Sequence, residues 1–170
     1  ERLIEKRYQV CIVDPEGDYG TLRDLVALGN PLRAPSLREV LSVLEDPTTN
    51  LSINLLGVPL SDRPGVFAQF LPHLQAMRAR TGRPHWVVID EAHHMLPDTR
   101  GHAPAVIPGQ LAETMLVTVH PDHVAPSILE GVDVMVAIGP SPEHTIRSFA
   151  KATHREVQIP AGLSHRRGHV

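Results

Sequence analysis

Residues 85–94 read His-Trp-Val-Val-Ile-Asp-Glu-Ala-His-His, an apolar run that ends in two adjacent acids. Gly82, Arg83 and Pro84 precede it, and such a short, bounded run predicts a strand that is buried on both faces, as in a parallel sheet. The acids Asp90 and Glu91 then fall at the carboxyl end of the strand, where open α/β sheets bind ligands. An acidic strand end that simply leads into a helix gives the same pattern, so these residues alone leave both interpretations open.

The composition limits the classes of protein that need to be considered. The chain has 170 residues, of which 42% are hydrophobic, enough for one sizeable core in a single domain. Its net charge of -3 gives no general attraction to nucleic acid, so any DNA contact has to come from a local patch or a partner subunit. The single cysteine, Cys11, excludes an intramolecular disulfide and fits a reducing compartment.

No apolar run approaches the roughly 20 residues that a membrane-spanning helix needs, and the charged start has no signal-peptide hydrophobic region. We therefore expect a cytoplasmic location and no membrane segment. The sequence also begins in mid-pattern without a methionine, so we expect it to be a fragment.

Strands and helices alternate along the predicted chain. Apolar runs and alternation predict strands at 10–13, 51–55, 86–89, 115–119 and 132–138, with a further edge strand at 155–159. Helical spacing predicts helices near 1–8, 22–28, 37–44, 63–81, 91–96, 124–131 and 142–150. This order predicts a three-layer α/β/α sandwich with a mainly parallel sheet. We expect one domain over residues 1–159, a flexible tail over 160–170, and a functional or mobile loop over 98–109.

A second acidic segment follows the first predicted strand. Residues 14–20 read Asp-Pro-Glu-Gly-Asp-Tyr-Gly. Proline fixes one φ angle and Gly17 permits a positive one, so the backbone can bend sharply and turn a carboxylate toward the edge of the sheet. An ordinary solvated acidic turn fits these residues equally well.

Three segments together resemble the HerA/FtsK class of P-loop ATPases, especially the HerA-like branch that includes conjugation ATPases. Residues 14–19 resemble that branch's Asp-Pro-His-Gly-Glu-Tyr motif, and residues 87–91 resemble its Walker B strand. Residues 116–121, Leu-Val-Thr-Val-His-Pro, resemble its sensor strand, which normally reads Thr-Gln-Arg-Pro. The resemblance covers about residues 1–154 and implies a P-loop NTPase-like fold.

The resemblance also implies the ligands and the residues that bind them. It implies ATP and Mg²⁺ as cofactors, DNA as a candidate partner, and a ring of identical subunits in the full-length protein. Asp90 would hold Mg²⁺ through water and Glu91 would polarise the attacking water. The other implied site residues are Asp14 at the bound nucleotide, Asp18 near the γ-phosphate, and Thr118 and His120 on the sensor strand.

Two departures from the family pattern affect the expected activity. Val119 and His120 replace the sensor Gln and Arg, so a neutral hydrogen-bonding side chain and a fixed cation are lost. No Gly-x-x-x-x-Gly-Lys-Ser/Thr motif occurs, and the only lysines are Lys6 and Lys151. On the family layout the phosphate-binding loop and the central strand that carries it lie before Glu1. We therefore expect the 170-residue chain alone to hydrolyse little or no ATP.

Three other interpretations remain. The altered sensor favours a nucleotide-responsive or interaction module that hydrolyses slowly or not at all. A metallohydrolase is suggested by histidines near two strand ends, although their spacing does not match a His-Glu-x-x-His helix; they are His93, His94, His120 and His123, beside Asp14, Asp18 and Asp90. Residues 90–93 also spell the Asp-Glu-Ala-His box of a class of helicases, but no other helicase motif of that class accompanies it.

Overall fold

The computed structural model describes residues 1–98 and 111–157, which form an α/β fold around one sheet. Its strands are β1 (Val10–Asp14), β2 (Leu25–Leu28), β3 (Asn50–Asn54), β4 (Trp86–Ile89) and β5 (Thr114–Leu116). They lie in the order β2-β3-β1-β4-β5, and each neighbouring pair is parallel. Since the strands are parallel, their carboxyl ends share one edge.

The described helices are α1 (Arg2–Glu5), α2 (Leu37–Leu44), α3 (Arg63–Thr81), α4 (Ala92–Met95), α5 (Pro126–Leu129) and α6 (Pro142–Ala152). Short 3-10 turns form at Leu60–Asp62 and Pro121–His123. Ser36 and Glu39 form a capping box at the start of α2, and left-handed Gly82 ends α3. No described helix is both long and apolar enough to cross a membrane.

The side chains of β1 divide between two apolar clusters, one on each face of the sheet. Cys11 and Val13 contribute to the larger cluster, which α2, α3, α5 and α6 cover. Val10 and Ile12 face the smaller cluster, against which Leu3 of α1 packs. The predicted α/β fold with a mainly parallel sheet is confirmed.

Burial raises the pKa of the Cys11 thiol to about 12, so this cysteine is a neutral core residue.

The helix predicted near 22–28 is wrong, because residues 25–28 form β2. This strand pairs with β3 in the register Val26↔Leu51. Left-handed φ angles at Asp24 (61°) and Gly29 (95°) bound it and are incompatible with a continuing helix. The apolar spacing fits a short helix as well as a strand, and pairing with β3 decides between them.

The strand predicted at 132–138 is also wrong. Among the described residues no strand pairs with this segment, and Val134, Val136 and Ile138 are largely exposed. A strand needs a neighbouring backbone for its hydrogen bonds, and no described strand lies beyond β5. β5 itself ends at Leu116, earlier than predicted. Residues 155–157 form no strand, and the predictions for the 160–170 tail and for all of the 98–109 loop except Asp98 lie outside the described residues.

Candidate functional site

The predicted site residues meet at the carboxyl edge of the sheet. Asp14 is the last residue of β1, Asp90 directly follows β4, and Thr118 lies two residues after β5. The register Val13↔Ile89↔Leu116 brings these three strand ends side by side. This is the edge at which α/β sheets bind ligands.

Asp14 is completely buried, and its carboxylate accepts four hydrogen bonds from the protein. Oδ1 accepts from the backbone N–H groups of Gly17 (2.7 Å) and Asp18 (3.1 Å). Oδ2 accepts from the Tyr19 N–H and the Ser52 hydroxyl, both at 3.1 Å. These bonds stabilise the buried charge and give Asp14 the role of fixing the turn. Its implied contact with nucleotide stays a prediction.

The turn needs glycine at position 17. Gly17 has φ of 77°, and a Cβ there would lie 2.6 Å from Cδ1 of Leu56 and 2.9 Å from Nδ2 of Asn54. The positive φ therefore favours glycine, and a Cβ would also force the Leu56 and Asn54 side chains to move. Asp18 projects from this turn as an exposed residue.

The Tyr19 side chain reaches back to the end of β4, where its hydroxyl lies beside the Asp90 carboxylate. Burial, followed by the charge and hydrogen bond of Asp90, raises the pKa of Tyr19 to about 12. The tyrosine is therefore a neutral donor. Asp90 is only 9% exposed, and its Oδ1 also accepts the Glu91 N–H at 3.0 Å. Tyr19 belongs to the acidic motif after β1, but local sequence predicts no role for its side chain.

Glu91 has left-handed backbone angles, with φ of 42° and ψ of 49°. For a residue with a Cβ this conformation costs on the order of 1–3 kcal/mol and recurs at functional sites. The surrounding backbone maintains it, because the Ala92 N–H donates to the Val117 carbonyl at 2.8 Å. The acid that the sequence singles out as a base is thus held in a strained turn.

His93 connects this acid to the end of β5. Its Nδ1 lies 2.9 Å from Oγ1 of Thr118 and 3.3 Å from a carboxylate oxygen of Glu91. The backbone N–H of His120 donates to the same Thr118 Oγ1 at 3.0 Å. Sequence reasoning considered His93 only as a metal ligand, since partners 25 residues away cannot be read from local spacing.

The histidines surround a cavity of about 480 Å³, lined by His93, His94, His120 and His123 together with Pro97, Asp98 and Asp122. The rings of His93 and His94 lie 4.1 Å apart, and those of His120 and His123 stack at 4.9 Å. Burial, with the neighbouring imidazoles, lowers the pKa of His93. In the part of the chain that the structure describes, no group of three or more His, Cys, Asp or Glu has the geometry of a metal site.

Solved structures of the genome packaging NTPase B204 from Sulfolobus turreted icosahedral virus 2 have a similar fold. The complex with ATP-gammaS shares 16% identity at a TM-score of 0.54, over 89% of this chain and 70% of that one. The complex with AMPPCP shares 15% at a TM-score of 0.57, over 90% and 72%. The complex with AMP shares 16% at a TM-score of 0.53, over 91% and 76%. No protein-family model and no curated protein matches the sequence.

Proposed function

We propose that this chain is the magnesium- and water-binding part of an ATP-hydrolysing domain of the HerA-like P-loop class. The arrangement of Asp90 and Glu91 carries the proposal. These adjacent acids directly follow the parallel strand β4, and Asp90 is only 9% exposed. Thr118 follows the neighbouring strand β5. The packaging NTPase with the similar fold was solved with ATP analogues and AMP, which supports a nucleotide as the ligand.

The residues around Asp90 fit a magnesium ion. Mg²⁺ prefers oxygen ligands, retains several waters and is usually held by one or two carboxylates together with substrate phosphates. Asp90 accepts a hydrogen bond from the Glu91 N–H and lies beside the Tyr19 hydroxyl, and an ionised carboxylate has about four acceptor sites, so some remain for water ligands. When bound, the ion would neutralise charge that develops on the transferred phosphoryl group.

The other side chains have separate tasks in this proposal. Glu91 orients and polarises the attacking water, and Thr118 donates a hydrogen bond to an oxygen of the terminal phosphate. Asp18, exposed on the turn after β1, lies near the same phosphate. His120 occupies the position of the sensor Arg and supplies less fixed charge.

The phosphate-binding loop is proposed to come from residues outside this sequence, because the 170 residues contain no such motif. Its strand would lie beside β5. Several apolar side chains in and after β5 and in the unpaired segment 132–138 are exposed, and another strand would cover them. They are Met115, Val117, Val134, Val136 and Ile138. Ring assembly and movement of DNA are proposed on the HerA-like resemblance alone.

A second candidate is a module that binds nucleotide but hydrolyses it slowly. The observation in its favour is the sensor segment, where the Val119 side chain is exposed and cannot donate a hydrogen bond. His120 in turn stacks on His123 instead of offering a guanidinium.

Phosphate release by a longer chain that carries a glycine-rich phosphate-binding loop upstream of Glu1 tests the proposal. We expect magnesium-dependent ATP hydrolysis by the longer chain and none above background by residues 1–170. Magnesium-dependent nucleotide binding without turnover would favour the second candidate. No nucleotide binding by the longer chain would reject both.

A further inference from the structure

His93 Nδ1 lies between two side-chain oxygen atoms. It is 3.3 Å from a Glu91 carboxylate oxygen and 2.9 Å from Thr118 Oγ1, and its side chain is only 9% exposed. An ionised carboxylate can accept hydrogen bonds but cannot donate them. The nitrogen beside Glu91 therefore has to carry the imidazole proton if the two groups are to attract, which selects the Nδ1–H tautomer.

This tautomer determines the orientation of the Thr118 hydroxyl. A hydroxyl has two acceptor lone pairs and one proton. The His93 Nδ1–H uses one lone pair and the His120 backbone N–H, at 3.0 Å, uses the other. With Nδ1 as the donor, none of the hydrogen bonds among the described residues 1–98 and 111–157 uses the Thr118 proton, so the proton is available to a ligand.

We propose that His93 is a positioning residue, which holds the Glu91 carboxylate and orients the Thr118 hydroxyl as a donor to an anionic ligand oxygen. The ligand oxygen belongs to the class expected from the proposed function, a phosphoryl oxygen, and to that extent the inference rests on that function. A single imidazole therefore contacts both Glu91, which follows β4, and Thr118, which follows β5.

Two substitutions of His93 separate this role from packing. The amide nitrogen of Asn can occupy the position of Nδ1, whereas that of Gln approximates Nε2. In the longer, hydrolysing chain, His93→Asn should keep most of the parent kcat. His93→Gln should lower kcat by about 10- to 100-fold, as loss of an outer-shell partner typically does, with KM little changed. If His93 only filled space, the larger Gln would be tolerated better than Asn, and that order would overturn the proposal.

A double substitution tests whether His93 acts through Thr118. Once Thr118→Val has removed the hydroxyl, adding His93→Gln should lower kcat by clearly less than His93→Gln does in the parent. Fully additive losses would contradict the proposal. His73→Gln, on the exposed face of α3, is the matched control and should leave kcat unchanged.

The tautomer can be measured on the 170-residue chain without any catalytic activity. Two-bond ¹H–¹⁵N spectra of ¹⁵N-histidine-labelled protein at pH 8 distinguish Nδ1–H from Nε2–H, and His93→Gln assigns the signals. The inference predicts Nδ1–H at His93, and Nε2–H would overturn it. Because this readout needs no turnover, an inactive longer chain would count against the proposed function while the tautomer still decides the role of His93.

Discussion

The hydroxyl of Tyr19 lies beside the carboxylate of Asp90, and this contact joins the turn after β1 to the end of β4. Asp14 holds the backbone of that turn, including the N–H of Tyr19 itself at 3.1 Å. A buried acid on one strand therefore positions a neutral donor against the acid on the next. The acidic turn after β1 therefore packs against the acid that follows β4.

Tyr19→Phe should destabilise the fold by about 0.5–1.5 kcal/mol, because it removes a polar hydroxyl from beside the nearly buried Asp90 carboxylate. Urea unfolding of the 170-residue chain measures this directly. The matched control is Tyr8→Phe, since Tyr8 is exposed and its contact with the His85 ring survives the change. Equal stability of Tyr19→Phe and the parent would show that the hydroxyl contributes little.

The raised pKa of Tyr19 predicts that the folded chain loses stability in alkali. The pKa of Tyr19 is about 12 in the folded chain against an ordinary 10, so its contribution is fully present below pH 10 and is lost as pH rises toward 12. The buried Cys11 thiol, whose pKa is also about 12, likewise lowers the stability of the fold as the pH rises above about 9. Tyr19→Phe should therefore make the decline above pH 10 shallower, as measured by unfolding at a series of pH values. An unchanged slope would contradict the raised pKa.

Gly17→Ala should destabilise the chain by more than about 1 kcal/mol, because the added Cβ meets Leu56 and Asn54 at a φ of 77°. Thermal unfolding measures the change. Gly65→Ala is the control, since a Cβ at Gly65, within α3, has open space and should leave stability unchanged or raise it by up to about 1 kcal/mol. Similar effects at both glycines would mean that the turn adapts to a side chain.

The sheet could be predicted in part from local sequence, and the elements that failed show why only in part. β1 and β4 are short apolar runs buried on both faces, so their own residues identify them. β2 and segment 132–138 carry equally apolar residues, but their structure depends on whether a neighbouring backbone is present, as β3 is for Val26. Composition within a short window does not contain that information.

The site shows the same division between local and distant information. Parallel strands place Asp14, Asp90 and Thr118 at one edge, so their proximity followed from the strand assignments. The partners that hold them did not, because the bond from Ser52 to Asp14 spans 38 residues and the contact of His93 with Thr118 spans 25. Only the folded geometry identifies Tyr19 and His93 as parts of the site.

Introducing the Gln and Arg of the HerA-like sensor pattern should raise the rate of a slowly hydrolysing longer chain. Val119→Gln supplies a neutral hydrogen-bonding side chain, and His120→Arg supplies a permanent cation for phosphoryl charge. The double variant should increase kcat more than KM, measured by phosphate release at saturating ATP. A rate at or below that of the parent would show that the present sensor does not limit hydrolysis.

The central claim is that Asp90 binds magnesium-nucleotide and Glu91 activates water, and Glu91→Gln in the longer chain tests it most directly. Glu91→Gln should keep magnesium-ATP affinity while slowing hydrolysis by about 10²- to 10⁴-fold, the usual contribution of a positioned base. Asp90→Asn should instead weaken magnesium-ATP binding itself. If Glu91→Gln hydrolyses ATP as fast as the parent, Glu91 is not the catalytic base and the account of this strand end is wrong.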